Sequence, residues 1–273
     1  MQLPYPIRTL GQALVGRISL RVRSGLNRGR RWSLASAGRG YASGTFGRER
    51  LQVLAALVEP GDTVWDLGAH KGFVTLAAAG LVGPGGRVVA VEPAGVNLTF
   101  LRRHLRWNDV GNVTVVHAAV SDVPGVAPFG GTGDSLAFRL PQGPQRVDEP
   151  QAAAAPGSVE VTTWAQLETA HGAPRPRVVK MDVEGEEAAV LRGAGDHLPL
   201  DLALLISVHG PEAYQACRQV LEPRGFRILE SADMAGESKN PGAAWWSDHD
   251  LLAVGPDAEV PDGLGRLPLF TGV

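Results

Sequence analysis

Four short stretches of this 273-residue chain hold the residue types and spacings that could do chemistry. In the first, Val64-Trp65-Asp66-Leu67-Gly68-Ala69-His70-Lys71-Gly72-Phe73, an apolar run meets a turn marked by Gly68 and Gly72. A strand ending in such a turn and opening a helix brings main chain close to a ligand. Gly68 allows that approach without a Cβ, and Gly72 allows tight packing where the helix begins. Glu92, the second, lies 20 residues past Gly72 at the end of the next β-branched run. A carboxylate placed there can accept both hydroxyls of a ribose. The third, Lys180-Met181-Asp182-Val183-Glu184, puts two acids two residues apart, on one face if the strand runs that far. The fourth is His209, at the end of another apolar run. Its imidazole belongs to the side-chain type that titrates between about pH 5 and 8.

The turn discriminates between cofactors. A dinucleotide pyrophosphate beside Asp66 would meet like charge, and His70 occupies the place of the middle glycine in G-x-G-x-x-G. S-adenosylmethionine has no phosphate and carries an ammonium group, which an acid and turn carbonyls can receive. Asp66, Gly68, Ala69, His70, Gly72 and Glu92 are therefore the expected cofactor residues, and a nicotinamide dehydrogenase is the disfavoured enzymatic alternative. A packing turn with an incidental Glu92 is the bland one.

Methyl transfer from that cofactor needs an in-line nucleophile, and a positioned base accelerates it where the nucleophile loses a proton. Strand ends of an open α/β sheet converge beyond their carboxyl edges, so His209 can approach Asp182 and Glu184. His209 is the expected base, Asp182 the residue that positions the acceptor, and Lys180 and Glu184 complete the set. Other readings stay open. Glu184 can favour a helix N-terminus, Lys180 can pair with Asp182, and His209 can be a turn histidine. Asp182, Glu184 and His209 also suit a divalent cation.

The elements that would hold these residues alternate. Strands are expected over 63–67, 87–91, 113–120, 159–162, 178–183, 202–208, 226–229 and 251–254. Helices are expected over 51–58, 72–81, 97–107, 164–169, 186–193 and 212–221. Such alternation implies βαβ units around a parallel sheet. Residues 123–158, rich in Pro, Gly and Ala, interrupt it as a flexible insertion over the acceptor pocket. Trp245 and Trp246 fall in a polar loop between the last two strands.

Residues 1–48 form a basic, helical extension ahead of a single domain at 49–273. The extension holds nine Arg and no acid, which leaves 17 basic against 28 acidic residues in the remainder. It lacks every motif residue and reads as dispensable for cofactor binding, with weak contact to an anionic surface as its possible use. The lone Cys217 excludes an internal disulfide and suits a reducing cytoplasm. With mean hydropathy of −0.02, no apolar run reaches the length that spans a bilayer. No segment reads as a nucleic-acid-binding pattern.

Asp-Leu-Gly-Ala-His-Lys-Gly-Phe at 66–73, Val-Glu-Pro at 91–93, Ala-Ala-Val-Ser-Asp at 118–122 and Lys-Met-Asp-Val-Glu-Gly-Glu-Glu at 180–187 together resemble the FkbM family of methyltransferases. Pro60-Gly61-Asp62 and Val-Leu-Arg-Gly-Ala at 190–194 fit as well, and the likeness runs from about Gly44 to Phe226. The resemblance implies a doubly wound α/β fold with the seven-stranded Rossmann-like sheet of class I methyltransferases, ending in an antiparallel strand. It implies methylation of a hydroxyl on a small molecule, a secondary metabolite or a sugar or glycan. Position by position it puts Asp66, Gly68, His70 and Gly72 around the methionine portion, Glu92 on the ribose, and Ser121 and Asp122 beside the adenine. Lys180, Asp182 and Glu184 would face the methyl group. A degenerate methyltransferase fold acting as a binding or scaffold protein is the alternative outside the enzymes.

Overall fold

A computed structural model describes residues 16–36, 38–128, 157–231 and 249–271. In chain order the strands are β1 (Ser19–Arg21), β2 (Arg31–Ser33), β3 (Thr63–Leu67), β4 (Arg87–Val91), β5 (Val113–Val116), β6 (Ala119–Val120), β7 (Gly125–Pro128), β8 (Ser158–Thr162), β9 (Val178–Met181), β10 (Ala203–Val208), β11 (Arg227–Glu230) and β12 (His249–Val254). The helices are α1 (Arg39–Ser43), α2 (Arg48–Leu57), α3 (Phe73–Val82), α4 (Gly95–Trp107), α5 (Trp164–Thr169), α6 (Glu187–Ala194), α7 (Pro211–Leu221) and α8 (Pro268–Thr271).

Seven strands form the main sheet in the order β11-β12-β10-β9-β3-β4-β5. β9, β10, β3, β4 and β5 are mutually parallel, whereas β12 runs antiparallel to both of its neighbours. The central strands are apolar on both faces, as a sheet covered on both sides requires. Alternate residues supply two separate cores. Trp65, Leu67, Val89, Val91, Val179, Met181, Leu204 and Ile206 pack with α5, α6 and α7. Val64, Val88, Ala90, Val178, Ala203 and Leu205 pack with α2, α3 and α4. This is the doubly wound sheet expected from the sequence. From β3 the chain builds outward to β4 and β5, then returns to lay β9 and β10 on the other side of β3. The reversal creates a crevice beyond the carboxyl ends of β3 and β9, where ligands of open α/β sheets bind.

Three expectations need correction. The strand expected over 113–120 is two strands: β5 belongs to the main sheet, and β6 pairs in parallel with β8 in a small second sheet. Gly125–Pro128, inside the interval read as a loop, is a strand of that second sheet, antiparallel to β8, with Ala127 buried. Residues 129–156 of the interval, and Trp245 and Trp246, lie outside the described residues. Strand β9 ends at Met181, so Asp182 and Glu184 stand beyond it and not on a shared strand face.

The described part of the basic extension is a β1–β2 hairpin followed by the short helix α1, and so is only partly helical. It docks by stacking and hydrogen bonds. Trp32, fully buried, stacks on His104 of α4 at 3.7 Å between ring centroids and meets Phe73 edge-on at 5.2 Å. The Ser33 N–H donates to His104 Nε2 (3.0 Å), and His104 Nδ1 lies 2.8 Å from the Lys71 carbonyl. Asn27 Nδ2 donates to the Phe73 carbonyl at 2.7 Å.

These contacts need a neutral imidazole with Nδ1 as the donor. Burial pushes the His104 pKa down to about 4; the Lys71 carbonyl opposes this, and the charges of Arg103 and Lys71 add to it. Above pH ~6.5 the imidazole is neutral in both folded and unfolded chains, and the docking is fully stable. Below that the unfolded chain takes up a proton that the folded chain refuses. Stability is expected to fall by roughly 3 kcal/mol between pH ~6.5 and about 4. Urea titrations across that range should show the slope, and His104→Gln should flatten it.

Candidate active site

The carboxyl ends of β3, β4, β9 and β10 open onto a cavity of about 550 Å³, a size usual for small-molecule sites. At its centre is the turn after β3. Gly68 has φ +76°, and a Cβ there would stand 1.8 Å from the Asp182 carbonyl oxygen. The glycine is thus required by the chain beyond β9, which passes against the turn, and not only by a ligand. Gly72 plays the packing role expected of it: it caps α3 with φ +88°, and a Cβ would press on Leu101 at 3.1 Å.

Four main-chain N–H groups of this turn are used inside the protein. Gly68 and Ala69 donate to the Val91 carbonyl (3.0 and 2.9 Å), and Gly72 donates to the Ala69 carbonyl (2.9 Å). His70, a non-glycine residue at φ +50°, donates to Glu92 Oε2 at 2.7 Å. An anion-binding turn leaves such donors open. This one keeps them for the fold.

Glu92, 5% exposed, lines the cavity at the end of β4. Its Oε1 accepts from the Ala94 N–H (2.9 Å) and Asn97 Nδ2 (3.0 Å). Burial raises its pKa, opposed by the hydrogen bonds from Asn97, Ala94 and His70 and by the charge of Lys180. Three of a carboxylate's roughly four acceptor positions are therefore filled by the protein. One remains for a ligand donor, fewer than the two expected from the sequence.

Asp66 does not face the cavity. It is fully buried beside its register partner Lys180 on β9, with Oδ1 3.2 Å from Lys180 Nζ and Oδ2 accepting from Thr75 Oγ1 at 2.6 Å. Lys180 also donates to the Gly68 carbonyl at 2.7 Å. Burial alone would lower the lysine's pKa; Asp66, and then Asp182, outweigh that and raise it. The pair ties β3 to β9 and fixes the turn between them.

Asp182, Glu184 and His209 converge on the wall of the cavity. His209 Nε2 lies 3.7 Å from Asp182 Oδ1 and 3.5 Å from Glu184 Oε2. Its Nδ1 lies 2.8 Å from Oε1 of Glu187, a fully buried carboxylate that also accepts from the Gly185 N–H at 3.0 Å. Glu184 reaches the group through a left-handed backbone, φ +55°. On its other side Asp182 Oδ2 is 3.9 Å from both Lys180 Nζ and Arg50 Nη1. Arg50 in turn pairs with Asp250 at 2.5 Å.

Ser121 and Asp122 lie off the cavity, whose wall there is Ala118, Ala119 and Val120. Ser121 is buried and donates to Glu186 Oε2 (2.7 Å), while Asp122 pairs with Arg192 at 3.2 Å. The opposite wall is built in part by the extension, which the sequence reads as dispensable for cofactor binding. Tyr41 and Phe46, stacked at 4.1 Å, line the cavity with Gly47 and Arg50. Burial, with the Asp182 charge adding and Arg50 opposing, pushes the Tyr41 hydroxyl up to about 12, so it remains a donor.

A family model described as the methyltransferase FkbM domain matches residues 66–228, more than half of the chain. The chain belongs to the FkbM methyltransferase family. No curated protein matches it. Among solved structures, an FkbM methyltransferase from Methylobacillus flagellatus KT is 19% identical over 71% of this chain and 43% of its own, with a TM-score of 0.45. A precorrin-6y C5,15-methyltransferase from Geobacter metallireducens GS-15 is 16% identical over 76% of this chain and 87% of its own, with a TM-score of 0.45. Aeropyrum pernix fibrillarin, in complex with S-adenosyl-L-methionine, is 17% identical over 74% of each chain, again with a TM-score of 0.45.

Sequence reasoning missed Tyr41, Phe46 and Arg50, which precede the matched FkbM segment, and Asn97, Glu186 and Glu187 within it. Glu187 sits inside the very Lys-Met-Asp-Val-Glu-Gly-Glu-Glu segment that carries the family likeness. Only its burial against His209 shows that it holds the imidazole. Nothing in the order of residues ties Tyr41 or Arg50 to strand ends more than a hundred residues away.

Proposed function

We propose that this FkbM protein transfers a methyl group from S-adenosylmethionine to a hydroxyl of a small-molecule or glycan acceptor. The observation that carries the reading is the turn with its N–H donors spent. Gly68, Ala69, His70 and Gly72 offer no anion cradle, and Glu92 adds an acceptor. That chemistry fits a cationic, donor-rich ligand with ribose hydroxyls and does not fit a pyrophosphate. When bound, the cofactor supplies a methyl group on a positively charged sulfur.

Glu92 would accept a ribose hydroxyl, and the Gly68–His70 main chain would border the methionine portion. The Ala118–Val120 edge would border the adenine, in place of Ser121 and Asp122. Beside that turn, Asp182 would orient the acceptor hydroxyl, and its proton would pass to the Asp182–Glu184–His209 group as the oxygen takes the methyl. The stacked Tyr41–Phe46 pair would give the acceptor an apolar wall, which suits a flat metabolite or the face of a sugar. Among the described residues no helix is long and apolar enough to cross a membrane, and the buried thiol of Cys217 fits work in the cytoplasm.

Calorimetry tests the cofactor assignment. S-adenosylmethionine and S-adenosylhomocysteine are expected to bind and NAD is not. Glu92→Ala should weaken binding by roughly 1.5–3 kcal/mol, the worth of one charge-assisted hydrogen bond. Unchanged affinity in that variant would take Glu92 out of the site. NAD binding with comparable strength would replace this reading by that of a dehydrogenase. Absence of turnover with every hydroxylated acceptor tried, despite tight cofactor binding, would favour a scaffold.

A further inference from the structure

We infer that Asp182, Glu184 and His209 bind a divalent cation of the Mn²⁺ or Mg²⁺ type on the wall of the cavity. This rests on the reading of the cavity as a methyltransfer site and adds what that part of it holds. One ligand atom from each of the three residues lies within 4.8 Å of the others, a spacing one ion can bridge.

The cluster is more than a group of acids. His209, 7% exposed, points Nε2 into the gap between the two carboxylate oxygens, and its Nδ1 is held by Glu187. A carboxylate on the distal nitrogen of an imidazole is the usual support for a metal-ligating histidine, because it fixes ring orientation and tautomer. With Nδ1–H donated to Glu187, the Nε2 lone pair faces two negatively charged oxygens. A cation in that gap turns the mutual repulsion into coordination.

A second observation is independent of this geometry. Glu187 is fully buried, and among the described residues its Oε2 has no hydrogen-bond partner. The ion pairs around it link five carboxylates (Asp66, Asp182, Glu184, Glu187, Asp250) to two permanent cations, Lys180 and Arg50. Negative charge gathered away from water is costly, and a divalent ion offsets it. Arg50 and Lys180 both sit on Asp182 Oδ2, which leaves Oδ1 for the ion. Two carboxylates and one imidazole suit Mn²⁺ or Mg²⁺, with remaining positions open to an acceptor oxygen.

The test uses the full chain, stripped with a chelator and titrated with Mn²⁺ in the absence of cofactor, read by electron paramagnetic resonance. One Mn²⁺ per chain is expected, with nitrogen coupling from an imidazole. His209→Ala should abolish the nitrogen signal. Glu184→Gln, at a partly exposed carboxylate that the fold can lose, should weaken binding at least tenfold. Glu187→Gln should weaken it by roughly 10–100-fold, and Asp201→Asn, on the surface beside Arg175, should leave it unchanged. Failure to bind Mn²⁺, or binding untouched by Glu184→Gln and His209→Ala, overturns the cation site. Calorimetry with S-adenosylmethionine on the same stripped protein separates the two readings. Cofactor binding and methyl transfer without any metal would remove the cation and keep the methyltransferase. Mn²⁺ binding without cofactor affinity would do the reverse.

Discussion

Replacing Lys180 by methionine is expected to destabilise the protein by about 3–5 kcal/mol, the usual cost of removing one partner from a buried ion pair. The sequence places Lys180 among the catalytic residues. In the structure its ammonium is committed to Asp66 and to the Gly68 carbonyl, both part of the β3–β9 seam. Without it the Asp66 carboxylate is left in the core with, among the described residues, only Thr75 as a donor. Urea denaturation of Lys180→Met measures the loss. The double variant Lys180→Met/Asp66→Leu should recover much of the loss, since a well-packed apolar pair often replaces a buried ion pair at little cost. If Lys180→Met keeps wild-type stability while turnover collapses, Lys180 acts on the substrate and its structural role is wrong.

Removal of the His209 imidazole should show in turnover instead. His209→Ala is expected to lower the rate by ~10²–10⁴, whether the imidazole takes the acceptor proton itself or holds a cation that activates the acceptor oxygen. S-adenosylmethionine affinity should change little, because Glu92 and the Gly68–His70 turn, and not His209, are assigned to the cofactor. Asp182→Asn should impair acceptor binding and turnover together. Glu187→Gln touches neither ligand. It should still lower kcat, because Glu187 sets which imidazole nitrogen faces Asp182 and Glu184. Single-turnover assays combined with cofactor calorimetry separate these effects. Near-normal turnover in His209→Ala would move proton removal to another group.

Much of the frame can be read from residue order because it depends on local rules. Alternation of β-branched runs with helical ones dictates the doubly wound sheet. The Gly68 and Gly72 spacing marks the turn, and Glu92 marks the next strand end. Asp182, Glu184 and His209 were legible as a set because strand ends in such a sheet share one edge. Other features depend on pairing between distant segments, which no local pattern encodes. An acid after an apolar run looks the same whether it faces a ligand or, like Asp66, a lysine on the neighbouring strand. Gly68 looks like a ligand glycine until the Asp182 carbonyl occupies the space its Cβ would need. The turn's N–H groups look available until Val91 and Glu92 claim them. The basic extension looks separable until Trp32 stacks on His104 and carries Tyr41 and Phe46 to the cavity wall. Residue types and spacing determine which chemistry the chain can perform. Only the tertiary contacts decide which polar groups remain open to perform it, because each buried donor or acceptor satisfied within the fold is one fewer for the ligand.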